Sequence, residues 1–535
     1  MSEVESFEIL LLEAGNYDDD LTKIPYLTTL LELSDKNWGY FSTPQKNGCF
    51  GWKGNRCSFL QGKVLGGSGS IDCLAYIRGN RDDYDKWAAL GNPGWSFREV
   101  LPFFKKMENY QSDKIDLNYR GFGGPANVAY EIPEPDFTIT ENVYKELGIP
   151  IIQDYNAEKQ IGVSRIQRLT NYGQAVSGAT AYVRPSLTKH NFNLTLTAFV
   201  TKILINKSTK TAYGVEFVKN GVTYRATARK EVIISAGVVN TPQLLMLSGI
   251  GPSDELAKHK IPIVANLPVG KVFKGNIFFD IYYLVDTVFP LETLEEVVRQ
   301  FLMGKGVLTN FQNGLSVTFL NTKNNYSSVP NLEITFYSLS SIDQQVPSLT
   351  NFIPEVQKFA DQFNSRHVVF FEISLLHPKS NGNITLKSNN PSDFPNINLG
   401  IFDNVADMDV LYDGIQFIRK ILSTKEIQLH HQSLIKYDFC DKYEYDSKDY
   451  WYCALKYVAY PGYHWSSSAK MGPLGDPYAV VDYKLRVNGI KKLRIVDRSV
   501  VPVTISGHYD PSSLMIGEKA ADMIKKEYGV FTKIS

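Results

Sequence analysis

Four consecutive aliphatic residues near the start of the chain, Ile9 to Leu12, constrain its fold most strongly. A short, uninterrupted apolar run of this kind is typical of a strand in a parallel sheet that is buried on both faces. Glu13 follows the run directly. Dinucleotide-binding folds use an acid at the tip of such a strand to bind the ribose hydroxyls of an adenosine. The pattern predicts an α/β fold and makes Glu13 a candidate ribose ligand, although an ordinary strand-end acid would fit it equally well.

The glycine loop that normally accompanies such an acid does not precede it here. In dinucleotide folds a G-x-G-x-x-G loop lies about 20 residues before the acid, where its bare backbone approaches the pyrophosphate. Only 12 residues precede Glu13, which leaves no room for that loop. The stretch Gly121 to Gly124 is followed by Pro125 and is interpreted as a turn.

Length and charge narrow the class of protein further. The chain has 535 residues, 43% of them hydrophobic, so we expect more than one domain. The 56 Lys and Arg residues balance the 56 Asp and Glu residues, so neither nucleic-acid binding nor a polybasic membrane anchor is expected. No apolar run reaches the ~18 residues that a transmembrane helix needs. The adjacent His430 and His431 would face apart in a strand or helix, so no metal site is predicted.

The five cysteines fall into two close pairs and one single residue. Cys49 lies near Cys57, Cys440 lies near Cys453, and Cys73 stands alone in an apolar run. The spacing fits two local disulfides and one buried thiol, and it fits five reduced thiols as well. Sequons for N-glycosylation favour a secreted protein, and they lie at Asn193, Asn206, Asn325 and Asn383.

Two glycine-rich segments carry the most specific motifs of the chain. The first runs from Gly62 to Asp72 (GKVLGGSGSID) and the second from Gly237 to Gly251 (GVVNTPQLLMLSGIG). Together they resemble the two signatures of the glucose–methanol–choline (GMC) flavoprotein oxidoreductases, in the style of the insect glucose-dehydrogenase-like branch. The resemblance extends over nearly the whole chain. Such loops are rich in glycine because a Cβ would block the close approach of backbone to a flavin or a pyrophosphate.

The resemblance implies FAD as the cofactor and the CH–OH group of an alcohol, sugar or sterol as the site of oxidation. In this family a hydride passes to the flavin while a base takes the hydroxyl proton, a task that suits histidine. His464 stands at the position of the base, and His508 at a second catalytic position that Asn or His occupies. The implied partners are a small-molecule alcohol substrate and an electron acceptor, either oxygen or a quinone.

The resemblance also implies which residues contact FAD. Glu13 would bind the ribose, Val200 the adenine through its backbone, Ala236 the adenosine half, and Asp497 the ribityl chain or pyrophosphate. The segment after Gly62 would line the isoalloxazine ring, with the candidates Val64, Gly66, Gly67, Ser68, Asp72, Cys73, Leu74 and Ala75. Ordinary strand or loop packing is the alternative at each position.

The expected architecture is a Rossmann-like FAD-binding domain interleaved with an α+β substrate domain that is built on an antiparallel sheet. Alternating polar and apolar residues at Asn331–Tyr337 and Val368–Leu376 support such a sheet. The FAD-binding domain takes residues 1–90, 195–275 and 460–535, and the substrate domain takes residues 91–194 and 276–459.

The resemblance also implies a first strand, a glycine loop and a helix before Ile9. We expect this first βα unit, and any secretory signal, to be missing from an N-terminally truncated sequence. In the family register Cys49–Cys57 and Cys440–Cys453 look like disulfides of the insect branch. An extracellular location is therefore expected for the full-length protein.

Several departures from the family pattern cluster at the active face. Asp72 replaces the usual Asn, and its carboxylate would oppose the negative charge that a flavin gains on reduction. Trp465 replaces Pro, Ser467 and Ser468 replace Gly-Thr, and Gly275–Asn276 replace Asp-His. These changes fit an altered substrate, or a catalytically inactive homologue that binds a small molecule or a protein. The surviving histidine pair favours an enzyme.

Overall fold

The computed structural model describes most of the chain, namely residues 1–112, 116–130, 137–285, 293–311, 314–323, 326–339, 351–363, 368–429 and 432–531. His430, His431 and the sequon at Asn325 lie outside these ranges. None of the helices within them combines the length and the apolarity needed to span a bilayer. The same ranges hold no group of three or more His, Cys, Asp or Glu side chains arranged for a metal ion.

Strands and helices are mixed along the whole chain. The strands are β1 (Ile9–Leu12), β2 (Tyr40–Phe41), β3 (Ser58–Phe59), β4 (Glu108–Tyr110), β5 (Ala126–Val128), β6 (Gly162–Ser164), β7 (Thr170–Asn171), β8 (Gln174–Ala175), β9 (Phe192–Thr195), β10 (Phe199–Asn206), β11 (Thr211–Lys219), β12 (Val222–Thr227), β13 (Val232–Ile234), β14 (Ile250–Gly251), β15 (Ala265–Asn266), β16 (Lys274–Val285), β17 (Gly314–Leu320), β18 (Leu332–Leu339), β19 (Val368–Leu375), β20 (Asn383–Thr385), β21 (Asn396–Asn398), β22 (Gln432–Leu434), β23 (Tyr460–Ser466) and β24 (Leu493–Ile495).

The α-helices are α1 (Thr28–Glu32), α2 (Arg81–Ala89), α3 (Phe97–Met107), α4 (Thr138–Glu146), α5 (Arg184–Ser186), α6 (Gly237–Leu247), α7 (Ser253–Lys258), α8 (Leu294–Leu302), α9 (Pro354–Ala360), α10 (Ala406–Leu422), α11 (Lys425–Gln428), α12 (Lys448–Val458) and α13 (Tyr509–Glu527). Short 3-10 turns include Gly67–Ser70 and Arg498–Val500.

Two pairs of short parallel strands carry the predicted dinucleotide-binding region. β1 pairs with β9, where Ile9 lies opposite Phe192, and β13 pairs with β24, where Val232 lies opposite Leu493. Within the described residues β1 and β13 form no hydrogen bonds to each other, and residues of both strands line one large cavity. The prediction of a parallel strand is therefore confirmed, but its burial on both faces is not, because Leu10 is 49% exposed and the other residues of β1 are only partly buried. A gap separates the two strand pairs.

An antiparallel sheet forms the other main layer of the described structure. Its strands follow the order β22-β16-β19-β18-β17-β6, and β23 also pairs with β16. The predicted alternating segments become β18 and β19, which are neighbours with Thr335 opposite Glu372. β23 joins this sheet although the predicted boundaries assign residues 460–535 to the FAD-binding domain. The sheet therefore brings β23, which carries His464, to the edge of the parallel region.

A buried ion-pair network ties the glycine-rich segment to the chain that follows it. Glu108 is fully buried and accepts hydrogen bonds from Arg78 at 2.8 Å and from Arg120 at 2.7 Å. Arg120 also pairs with Asp154. Because an unpaired charge in a protein interior is strongly destabilising, each member of this network depends on the others. The network fixes the stretch that leads into α2.

Both predicted disulfides are present. Cys49 is bonded to Cys57 and Cys440 to Cys453, with Cα–Cα distances of 5.4 and 5.9 Å, while Cys73 is a buried free thiol. The interpretation as two local bridges and one thiol is confirmed. Disulfides persist mainly in oxidising compartments, so the pair indicates a location outside the cytosol.

Candidate active site

A cavity of about 1240 Å³ extends from the parallel strands to β23. Its wall is assembled from distant parts of the chain, because β1, the glycine-rich segment, α6 and α13 all contribute to it. Many of the candidate residues line this cavity, namely Glu13, Gly66, Gly67, Ser68, Asp72, Val200, Ala236, His464 and Asp497. The structure thus brings together residues that the sequence places up to several hundred positions apart.

The other candidates lie behind this wall. Val64, Cys73, Leu74 and Ala75 are buried next to the lining residues. Burial raises the pKa of the Cys73 thiol well above its usual value, so the thiol is protonated and unreactive. His508 is buried next to His464, and the centres of the two imidazole rings are 4.1 Å apart.

Glu13 forms one end of the cavity, directly after β1. Its Oε1 accepts a 2.7 Å hydrogen bond from the backbone N–H of Gly15. Burial raises the pKa of Glu13 to about 7, although hydrogen bonds from the backbone of Gly15 and Ala14 act in the opposite direction. A carboxyl group with a pKa near neutrality can accept a hydrogen bond from a hydroxyl group when it is ionised, and it can donate one when it is protonated.

Asp497 fixes the start of α6 in the cavity wall. Its Oδ2 accepts hydrogen bonds from the Gly237 N–H at 2.9 Å and from the Thr241 hydroxyl at 2.6 Å. Its Oδ1 accepts the Ser499 N–H at 2.8 Å. Gly237 has a φ of +82°, a conformation that glycine adopts without strain. This arrangement holds Ala236, which precedes the helix, at the cavity.

The glycine-rich segment offers bare backbone to the cavity. Gly66 and Gly67 both have positive φ values, of 90° and 63°. A Cβ placed on Gly69 would lie only 2.7 Å from Oδ1 of Asp510, so this glycine allows a carboxylate to pack against the turn. The predicted close approach of backbone therefore has a structural basis in this segment.

His464 lies on β23 and is almost fully buried. Burial, together with the nearby His508 and Arg498, moves the pKa of His464 well below its usual value. Its Nδ1 lies 3.4 Å from Nδ2 of Asn276. Oδ1 of the same amide is buried, and no described residue forms a hydrogen bond with it. His464 is therefore neutral around pH 7 and able to accept a proton.

His508 immediately precedes α13, and its pKa is shifted in the opposite direction from that of His464. Its Nε2 lies 3.0 Å from Oε1 of Glu333 on β18. Burial alone would lower the pKa of His508, but the Glu333 carboxylate outweighs burial and the pKa is raised. Within the described ranges, Nδ1 of His508 is buried without a hydrogen-bond partner. The pair therefore consists of one neutral and one readily protonated imidazole.

Packing explains two of the departures from the family pattern. Gly275 on β16 lies opposite Trp465 on β23, and a Cβ at residue 275 would lie 2.4 Å from Cγ of the indole. The loss of a side chain at 275 therefore accompanies the gain of a large one at 465. Ser467, where the family has glycine, keeps a positive φ of 74°. The local backbone is therefore still one that glycine adopts most easily.

Three polar residues of the site are not among those predicted from the sequence. Glu333 is nearly fully buried beside His508, and Arg498 and Asp510 line the cavity. Glu333 could have been recognised from the sequence, because it is a carboxylate within the apolar strand Leu332–Leu339. Arg498 and Asp510 lie one and two residues after predicted site residues, but only the fold shows that they face the same space.

Comparisons with known proteins identify the family of this chain. Family models described as GMC oxidoreductase match residues 42–275 and 378–517. Glucose dehydrogenase [FAD, quinone] of Drosophila pseudoobscura pseudoobscura is 33% identical, over 99% of this chain and 84% of its own length. Human mitochondrial choline dehydrogenase is 32% identical, over 93% of this chain and 80% of its own length.

Solved structures share the fold. An FAD-dependent oxidoreductase from Chaetomium thermophilum has a TM-score of 0.82 at 25% identity, over 99% of this chain and 97% of its own. A formate oxidase of Aspergillus oryzae RIB40 has a TM-score of 0.83 at 24% identity, over 99% and 95% of the two chains. These likenesses confirm the predicted fold class. The chain belongs to the GMC oxidoreductases, a family of FAD-dependent enzymes that act on CH–OH donors.

Proposed function

We propose that this protein oxidises the CH–OH group of a small alcohol or sugar, with FAD as hydride acceptor and His464 as the base. The observation that carries the proposal is the buried pair His464 and His508. Their ring centres are 4.1 Å apart and their pKa values are shifted in opposite directions. One imidazole can therefore take up a proton while the other donates a hydrogen bond.

The cavity residues fit FAD. The buried Glu13 carboxyl suits the ribose hydroxyls, and the backbone of β10 at Val200 suits the adenine edge. At the other end, Gly67 leaves bare backbone for a flat ring, since a Cβ there would meet no atom within 4 Å. Bound FAD supplies the site that accepts the hydride.

The histidines handle the substrate hydroxyl. His464 takes the hydroxyl proton through Nε2, which requires the tautomer that carries its proton on Nδ1. The Asn276 side chain can stabilise this tautomer if its amide is rotated by half a turn, because the amide oxygen then accepts a hydrogen bond from Nδ1. Nδ1 of His508, which has no hydrogen-bond partner among the described residues, donates a hydrogen bond to the substrate oxygen. Glu333 keeps His508 protonated and fixes the orientation of its ring.

The names of the relatives suggest the substrate class and the electron acceptor. A glucose dehydrogenase [FAD, quinone] and a choline dehydrogenase support an alcohol-type donor, and the first supports a quinone as the acceptor, with oxygen as the alternative. The two disulfides and the exposed sequon at Asn206 support an extracellular location for the full-length protein.

We also propose that one further strand occupies the gap between β1 and β13. This strand would be the first strand of the family fold, and the glycine loop and the helix of the same βα unit would follow it. Both strands present cavity-facing residues without pairing to each other. Such an addition would complete a parallel sheet from β9 to β24 and provide the cradle for the pyrophosphate. In this arrangement the FAD-binding parts, residues 1–90, 195–275 and 460–535, enclose the cofactor.

The test is anaerobic reduction of bound FAD by D-glucose, choline or benzyl alcohol, monitored through the absorbance of the flavin. His464→Ala should keep the flavin bound but abolish its bleaching by the alcohol that reduces the wild type. His190→Ala, a change at an exposed histidine outside the cavity, is the matched control and should bleach normally. Unchanged bleaching in His464→Ala would contradict the assignment of the base.

The second candidate is a catalytically inactive member of the family that binds a small molecule or a protein. The gap beside β1 and the altered residues around His464 favour it. This candidate predicts a purified full-length protein without flavin absorbance. Bound FAD that bleaches with any alcohol of the panel excludes it.

A further inference from the structure

Two carboxylates and one arginine in the cavity wall are close enough to influence one another electrostatically, and the arginine also acts on His464. Asp72 follows the glycine-rich turn, Asp510 lies in the first turn of α13, and Arg498 begins a 3-10 turn. All three side chains line the cavity. Because they come from three separate elements, their meeting is a product of the fold rather than of local sequence.

Asp510 is poorly solvated in this arrangement. Its Oδ1 packs against the turn at Gly69, and its Oδ2 is buried with no hydrogen-bond partner in the part of the chain that the structure describes. Arg498 donates from Nη1 to the backbone carbonyl of Tyr463 at 2.7 Å. A carboxylate oxygen that receives no hydrogen bond is costly to ionise, which favours the protonated form of Asp510.

The groups that face Asp510 determine how easily it ionises. Burial and the negative charge of Asp72 raise the pKa of Asp510 to about 7, and Arg498 acts against them. His464, from β23, is neutral, and the raised pKa of Tyr509 leaves that neighbour uncharged as well. His508, at the start of the same helix, is paired with Glu333. Near neutral pH the charge of this part of the cavity wall thus changes with the proton on Asp510.

We propose that Asp510 is a proton-accepting group coupled to the redox state of FAD. It binds one proton from solvent when the cofactor gains two electrons and releases that proton when an acceptor, such as a quinone, removes them. The proposal rests on the proposed function, because it requires FAD in this cavity.

The coupling follows from charge. Bound FAD would gain one negative charge on accepting a hydride, and His464, whose pKa is well below its usual value, would pass the hydroxyl proton on to solvent, so the negative charge would remain uncompensated. A new negative charge beside Asp510 makes its carboxylate harder to maintain and raises its proton affinity. By reciprocity, protonation of Asp510 makes reduction of the flavin more favourable. Above about pH 7, where the carboxyl is ionised in the oxidised protein, reduction should therefore take up one additional proton.

The decisive experiment is a redox titration of the FAD-bound protein at a series of pH values. Above pH 7 the midpoint potential should fall more steeply with pH in the wild type than in Asp510→Asn. The difference in slope should correspond to one additional proton per two electrons. Asp280→Asn is the matched control, because burial raises the pKa of Asp280 to about 7 as well, but this residue lies on the antiparallel sheet and does not line the cavity. It should keep the wild-type slope.

Two further measurements keep the proposal testable if Asp510→Asn loses FAD. The infrared difference spectrum of reduced minus oxidised wild type above pH 7 should gain a C=O stretching band of a protonated carboxylic acid. In Asp72→Asn the additional proton step should move to lower pH, because removal of the like charge leaves Arg498 to favour ionisation of Asp510.

Each outcome bears on a different claim. Equal slopes in wild type and Asp510→Asn, or no infrared band on reduction, overturn the proposal while the proposed function stands. A full-length wild-type protein that binds no FAD overturns the proposed function and this proposal with it.

Discussion

Gly275 and Trp465 show how a single missing side chain reshapes the wall near the active site. They lie opposite each other on β16 and β23, and the indole packs against Phe273 with ring centres 4.6 Å apart. A Cβ at residue 275 would also lie 2.7 Å from Cα of Trp465. The close approach of the two strands therefore requires glycine at this position.

Gly275→Ala should lower the free energy of unfolding by about 1–3 kcal/mol, the usual cost of overpacking. Urea unfolding followed by tryptophan fluorescence would measure the change. Gly517→Ala is the control, since a Cβ at this position within α13 meets no neighbouring atom. Alanine there should stabilise by about 0.5–1 kcal/mol. Equal stabilities of Gly275→Ala and the wild type would show that the two strands can separate without cost.

At the level of elements, the site depends on where β18 meets the start of α13. Alternation along β18 directs Glu333 towards the ring of His508, while the backbone N–H of His508 donates to the Ile77 carbonyl at 3.0 Å. The side chain of Asp83 in α2 accepts the N–H of Ser506 at 2.6 Å and so holds the preceding loop. β18, the backbone at Ile77 and α2 thus together fix the position of the His508 imidazole.

Glu333→Gln should lower the pKa of His508, because burial then acts without an opposing carboxylate. If protonated His508 assists the reaction, activity is lost as the pH rises through this pKa. The high-pH limb of alcohol-dependent flavin reduction should therefore move to lower pH in the variant, and rapid-mixing absorbance would measure it.

Glu372→Gln provides the comparison on the neighbouring strand. Burial and the nearby Asp280 raise the pKa of Glu372 well above its usual value, so its carboxyl carries no charge near neutral pH. Its replacement should leave the high-pH limb in place. The same limb in wild type and Glu333→Gln would remove Glu333 from the account of the reaction.

Across the whole molecule, the Glu108 network connects the glycine-rich segment with the region that follows it. Arg78 and Arg120 both donate to this one carboxylate, and the side chains of all three are at most 1% exposed. Two arginines without their shared partner would be left as buried, uncompensated charges.

Glu108→Gln should therefore lower the free energy of unfolding by about 3–5 kcal/mol. Glu216→Gln removes an exposed pair with Arg225, whose side chain is 70% exposed, and should cost less than about 1 kcal/mol. Thermal unfolding followed by circular dichroism would compare the two variants. A loss from Glu108→Gln no larger than the loss from Glu216→Gln would show that the arginines find other partners.

The sequence predicts the features of this molecule that are encoded locally. The apolar run at β1, the alternation at β18 and β19, and the two close cysteine pairs each lie within a short stretch of chain. The partnership of Glu333 with His508 spans 175 residues, and that of Asp72 with Asp510 spans a still longer stretch. No local pattern specifies such contacts, because they depend on how β18 and the glycine-rich turn pack against α13.

The placement of the five cysteines bears on oxidative folding. The partners in the two bridges are only 8 and 13 residues apart, so each can meet its partner early, at a small entropic cost of loop closure. Cys73 could compete in the unfolded chain, yet once buried its thiol is held protonated and cannot attack a disulfide. Burial of the Cys73 side chain thus protects the correct disulfide pairing from later thiol–disulfide exchange, and no third bridge is needed for this.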